Sequence, residues 1–341
     1  MSVYTDGVVP WNSLDDNTRL PQASELEGGY PCGEADRELF NWTVGYPIGQ
    51  IYNVLLGAGI VPDLSDLTQL KQALSILYPR ILTQDLHIYV RPDGDDNNDG
   101  LTNSASGAFK TIQAAVDRIS ARYSGTGFTV VVHIAAGTYN GFAINGGNVR
   151  NWRFLGAGVL STFVNATSTS VNSGRGILTS NAEVVVQDIS FSAYFECAGV
   201  SPQGGSIEVI TCNFNMASAS SYGVNAAGGL INLFGNIKFS GSGLSNIAAI
   251  RGSIRLGFYD GVTSRPVALE WAPGTTVTDA NVLASDGGSV LAFPTVVFQD
   301  GTPSGRRYSI RLNGIINTQG SGVNFFAGTT VGATATGGQY V

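Results

Sequence analysis

Gly205-Ser206-Ile207-Glu208-Val209-Ile210 returns in altered form as Gly229-Leu230-Ile231-Asn232-Leu233-Phe234. It returns again as Gly252-Ser253-Ile254-Arg255-Leu256 and as Gly288-Ser289-Val290-Leu291-Ala292. The steps between the glycines are 24, 23 and 36 residues, and Glu183-Val184 stands 23 residues before Ser206-Ile207. A repeat of 20–30 residues with a strand in each unit is the signature of a solenoid, in which each coil adds about 4.8 Å along the axis. The step of 36 fits one coil with a long inserted loop, or a short extra coil. Val184, Val186, Ile189 and Phe191 roughly alternate, as do Ile207 and Val209, with Phe214 after a break. Such residues would point inward and stack on their counterparts one coil away. A β-sandwich is the alternative, but it calls for hairpin turns every 8–12 residues or so.

Working outward, the same grammar begins near Leu86. His87 to Arg91 reads as a strand, and Pro92-Asp93-Gly94 as a turn. Residues 109–122 form an amphipathic pattern with Ile112, Ala115, Val116 and Ile119 on one side, opened by Lys110 or Thr111. Val130 to Ile134 is a continuous apolar strand. Before residue 85 the chain differs. Residues 1–33 are rich in turns, 34–56 read as helix broken by Gly45 and Pro47, and 65–78 read as helix capped by Ser65 or Asp66. The expected division is a module at 1–84, coils at 85–317 and a terminal cap at 318–341. The small first module has a modest apolar supply and needs a partner surface to be stable. Trp11, Tyr30 and Trp42 are its candidate anchors.

Composition excludes several classes. The chain has 341 residues, 45 of them Gly, with 43% hydrophobic and 13% charged residues. That is a folded chain with many turns, not a disordered one. Net charge is −7 and the only lysines are Lys71, Lys110 and Lys238, so no basic face for nucleic acid is expected. Cys32, Cys197 and Cys212 match no disulfide framework or zinc spacing, and read as buried free thiols. No stretch of about 18 apolar residues suggests membrane insertion. Residues 1–10 contain no secretion-signal pattern, so synthesis in a cytoplasm without such a signal is expected.

Two stretches carry a resemblance. Ile88-Tyr89-Val90, Asp93 to Leu101 and Phe109-Lys110-Thr111-Ile112-Gln113-Ala114-Ala115-Val116 resemble the entry of right-handed parallel β-helix proteins of the pectate-lyase-like superfamily. Val131 to Tyr139, followed by Trp152-Arg153-Phe154-Leu155-Gly156, resembles the first coils of pectin methylesterases. Asn41-Trp42, Gln50-Ile51, Ala58 to Asp63 and Thr68 to Leu74 are similar to the start of many bacteriophage and prophage tail-fibre proteins, and Gly328 to Tyr340 has the same character. The resemblance implies a mainly β chain: a right-handed parallel β-helix with a small helical N-terminal module, assembled as a homotrimer. It implies a virion location, attachment to other virion proteins through residues 1–84, and a β-helix that faces the host and binds a surface glycan or other receptor. Head-decoration or baseplate roles and a polysaccharide depolymerase are the alternatives.

Chemistry is thinly marked. The pectin methylesterase motifs are missing, and Gln187-Asp188-Ile189 is an echo of one fragment, with Asp188 expected at a coil turn. No catalytic residue is assigned and the reading leans away from an enzyme. A glycan hydrolase would need two carboxylates about 5–10 Å apart. Glu183, Asp188, Glu196, Glu208, Asp260, Glu270, Asp286 and Asp300 are available, but spacing does not pair them. Asp95-x-Asn97-x-Asp99-Gly100 begins like a calcium loop, yet its twelfth position is Ser106, so a hydrogen-bonded turn is expected and no metal or cofactor is assigned. Candidate glycan or receptor contacts are Tyr194, Glu196, Tyr222, Phe258, Tyr259 and Asp260.

Overall fold

The computed structural model describes residues 46–63, 66, 68–125, 127–167 and 173–341. The chain divides into two compact units, residues 1–77 and 78–341. Trp11, Tyr30 and Trp42 lie outside the described residues.

The first unit contains helix α1 (Tyr46–Gly57) and helix α2 (Gln69–Leu77). The part of the expected 34–56 helical run before Tyr46 lies outside the described residues, and the described helix begins at Tyr46 with Pro47 next in sequence. This proline sits in the first turn of α1, where a missing N–H costs no intrahelical bond. The second helix starts at Gln69 and not at residue 65. The Asp66 carboxylate accepts from Thr68 N at 2.8 Å and Thr68 Oγ1 at 2.6 Å, which holds the entry as a turn.

The second unit is mainly β. Twenty-three of its strands join one network, and the chain visits three parallel ladders in turn. The first ladder holds Leu86–Val90, Val130–Ile134, Asn151–Gly156, Glu183–Gln187, 206–210, 230–234, Ser253–Leu256, Ser289–Ala292, Ile315–Asn317 and Gln339–Tyr340. The second includes Thr162–Ala166, Ser190–Ala193, 212–216, 235–239 and Val267–Trp271. The third includes Arg175–Ser180, Glu196–Val200, Tyr222–Ala226, Ser245–Ile250, Thr276–Ser285 and Ser304–Ile310. This arrangement is compatible with a parallel β-helix. The pairing Glu183, Ser206, Leu230, Ser253, Ser289 reproduces the steps of 23, 24, 23 and 36 read from the glycines. The long step is one coil, which carries a hairpin of Phe258–Tyr259 against Ser264–Arg265. That is the only antiparallel pairing among the described strands, so a sandwich of hairpins does not fit.

The core follows from the register. Trp152, Val184, Ile207, Ile231, Ile254 and Val290 are successive partners in the first ladder, and all are buried. In the second ladder the rings of Phe191, Phe214, Phe239 and Trp271 stack one coil apart, with centroids separated by 5.8, 5.8 and 6.4 Å. Asn246 Nδ2 donates to Asn281 Oδ1 at 2.8 Å, and Asn281 Nδ2 donates to the Ala327 carbonyl at 2.9 Å, so these buried amides pair with each other and the backbone.

Between the first and second ladders the chain turns through a single left-handed residue. Asp188, Thr211 and Gly235 occupy equivalent places with φ of 58°, 52° and 65°. Helix α3 (Ile112–Arg122) covers the first coil. Thr111 Oγ1 accepts from Ala114 N, and Ile112, Ala115, Val116 and Ile119 join the core that contains Ile88 and Val130. Near the last coil, Phe325 and Phe326 pack edge-on against Phe298.

Candidate functional site

Alternate residues of each first-ladder strand point outward. Tyr89, His133, Leu155 and Gln187 are successive partners in that outward register. Tyr89 stacks on His133 at 5.0 Å with 18° between planes, and the His87 ring lies nearly parallel to His133 with centroids 5.2 Å apart. His87 Nδ1 and His133 Nε2 are 2.9 Å apart and share a hydrogen bond. Burial, reinforced by the His87 charge, pulls the His133 pKa below its ordinary value.

One row over, Arg153 Nη2 donates to Gln187 Oε1 at 2.9 Å, and Gln187 Nε2 donates to Asp188 Oδ2 at 3.0 Å. Arg91 grips Asp93 with two N–H groups at 2.9 and 3.0 Å and donates to Asn103 Oδ1 at 3.0 Å. That last bond ties the loop after the first strand to the coil face. Between these groups is an open pocket of about 430 Å³, lined by Tyr89, Asn103, His133, Arg153, Gln187 and Asp188 with the backbone around Gly156. Arg153 is outside every ion pair formed among the described residues. An aromatic wall, a guanidinium, an amide and a carboxylate on one rigid face can hold a polyhydroxylated ring by stacking and by planar hydrogen bonds.

The expected contact residues fall in two other places. Glu196 and Tyr222 are register partners on the third ladder. Glu196 is only 3% exposed; Arg175 Nε donates to its Oε1 at 2.6 Å and Asn225 Nδ2 to its Oε2 at 2.9 Å. That corrects its reading as an outward contact. Burial raises the Glu196 pKa against the opposing pull of Asn225 and Arg175. Tyr222 is partly buried, edge-on to Phe195, while Tyr194 is exposed.

Phe258, Tyr259 and Asp260 sit together in the hairpin. Asp260 Oδ1 accepts from Thr263 N at 2.7 Å and Val262 N at 2.9 Å, which forms the hairpin tip and lowers its pKa. Arg265 pins the hairpin base: it binds Glu208 with two bonds of 2.6 and 2.9 Å and lies 3.7 Å over the Phe234 ring. The calcium-like loop is spent on hydrogen bonds, with Asp95 Oδ1 on Asn97 N and Asp96 Oδ1 on the N–H groups of Lys110 and Thr111. Cys197 and Cys212 are buried, and burial raises both thiols to about 12. Among the described residues, no helix is long and apolar enough to cross a membrane.

Sequence reading missed the pocket. His87 and His133 are 46 residues apart and Arg153 and Gln187 are 34 apart, neither of which is the 23–24 residue step. The Gln187-Asp188 echo and the resemblance over Val131 to Tyr139 and Trp152 to Gly156 both touch it, but neither brings its residues together. No protein-family model, curated protein or solved structure matches this chain.

Proposed function

We propose that this chain is a structural protein of a phage tail, a tail fibre or short tailspike. In this reading it is a homotrimer whose residues 1–84 attach to other virion proteins and whose coils bind a host surface glycan. The coil stack is taken as a right-handed parallel β-helix, because parallel crossovers favour that hand. Resemblance at both ends of the chain supports the virion assignment. The observation that carries the glycan assignment is the outward pocket, where Tyr89 and His133 stack beside the Arg153–Gln187–Asp188 hydrogen-bond chain.

Binding is favoured over cleavage for a specific reason. Of the residues that line the pocket, only Asp188 is a carboxylate, and hydrolysis by the common route uses two. The test is calorimetric titration of the full chain with host capsule or lipopolysaccharide glycan, with an assay for released reducing ends run in parallel. Saturable binding without release supports the reading. Release of reducing ends supports the depolymerase alternative. Absence of binding, with the chain located on the head or baseplate, supports the remaining alternative.

A further inference from the structure

We infer that the second ladder carries a further subsite, for an uncharged sugar of the same glycan, so that the ligand is an oligosaccharide seated in two neighbouring pockets. The inference rests on the glycan reading proposed above and extends it beyond the first pocket. Phe163, Ser190 and Asn213 are successive outward partners on this ladder. Asn165, Ser192, Asn215 and Ser240 are successive partners in the next outward row. Together they line an open pocket of about 360 Å³. Part of its lining is held by hydrogen bonds from coil to coil: Asn215 Nδ2 donates to Ser192 Oγ at 2.9 Å, and Ser240 Oγ donates to Asn215 Oδ1 at 3.1 Å. The side-chain amides of Asn165 and Asn213 make no hydrogen bond among the described residues, so each keeps two donors and an acceptor for a ligand. They stand two coils, roughly 10 Å, apart along the axis.

Charge selects the occupant. Every residue that lines this pocket is Phe, Ser or Asn, so none of them titrates. Lys238, the next outward partner after Asn213, is paired with Glu270. A charged ligand would lose its water here without gaining a counter-charge. A neutral sugar ring matches the lining, with its C–H face against Phe163, which is 37% exposed, and its hydroxyls toward the amides. Position ties this pocket to the first. Asp188 lines the first pocket and Ser190 the second, and two residues span at most about 7 Å. Ala157 lines the first and Phe163 the second, with the turn at 158–161 between them in sequence. Ser190 Oγ donates to the Val159 carbonyl and so fixes that turn at the boundary. A glycan that leaves the first pocket across this turn enters the second.

The experiment is calorimetric titration of the full chain with size-graded fragments, from single sugars to hexasaccharides, of the O-antigen or capsule polysaccharide that it captures on an array of bacterial surface glycans. Affinity is expected to rise about tenfold between the shortest fragments and those long enough to reach both pockets. Asn165→Ala/Asn213→Ala should lose that gain and still bind the shortest fragments as the wild-type chain does. Ser192→Phe, which fills the pocket and leaves both asparagines in place, should lose it too, so the result does not hang on one variant folding. Affinity independent of fragment length, or a gain kept in either folded variant, overturns the second subsite and leaves the first-pocket reading standing. Absence of binding by the wild-type chain, on the array and at every length, overturns both.

Discussion

At Gly235 one residue decides whether a coil can turn. Its φ is +65°, and a Cβ there would stand 2.5 Å from Thr211 Oγ1 on the coil before. Gly235→Ala should therefore cost more than about 1 kcal/mol, from left-handed strain plus the clash, read as a lower urea midpoint with unchanged slope. Phe214 is the opposite case. It is fully buried between Phe191 and Phe239, so Phe214→Ala should cost about 3–5 kcal/mol in the same measurement. The inward row was legible in the sequence because burial forces every coil to repeat it. His133 was not, since outward positions carry no packing constraint that would repeat them. Its lowered pKa favours the neutral ring in the fold, so the associated stability is present above the ordinary value of 6.5 and is lost as pH falls through the lowered one. The melting temperature should drop as pH falls below 6.5. His133→Gln should flatten that drop; an unchanged profile would remove His133 as its source.

At the level of elements, the hairpin at 258–265 is the main departure from the repeat. It accounts for the 36-residue step, and Arg265 fastens it to Glu208 and Phe234 on the coil face. The pair is partly exposed, with side chains 38% and 27% accessible, so its role is to position the hairpin more than to stabilise the whole. Arg265→Ala should leave the global unfolding transition within about 1 kcal/mol of wild type. It should raise proteolytic nicking at residues 260–263 about tenfold; equal nicking would show that the Arg265 contacts do not hold the hairpin. Glu208 is one of the carboxylates that spacing does not pair, and its partner lies 57 residues away across an insertion. Only the fold brings the two together. The same holds for the pocket. The first step of the ladder spans 44 residues because it includes helix α3, so no regular period links His87 to His133.

On the scale of the whole molecule, stacking explains why so little charge and so much glycine suffice. Each coil buries its inward row against two neighbours and exposes an outward row that is free to vary, which suits a rigid scaffold for recognition. The coil period was readable from four glycine-led segments. The pocket was not, because it is assembled from outward residues of several coils of unequal length. We propose that this surface binds a host glycan at the pocket between the first coils. The most direct measurement is the affinity of the full chain for host surface polysaccharide, compared with a Tyr89→Ala/Arg153→Ala double variant of equal stability. The account predicts saturable binding by the wild-type chain, weakened at least tenfold in the variant. Equal affinity in the two proteins, or no binding by either, would contradict it.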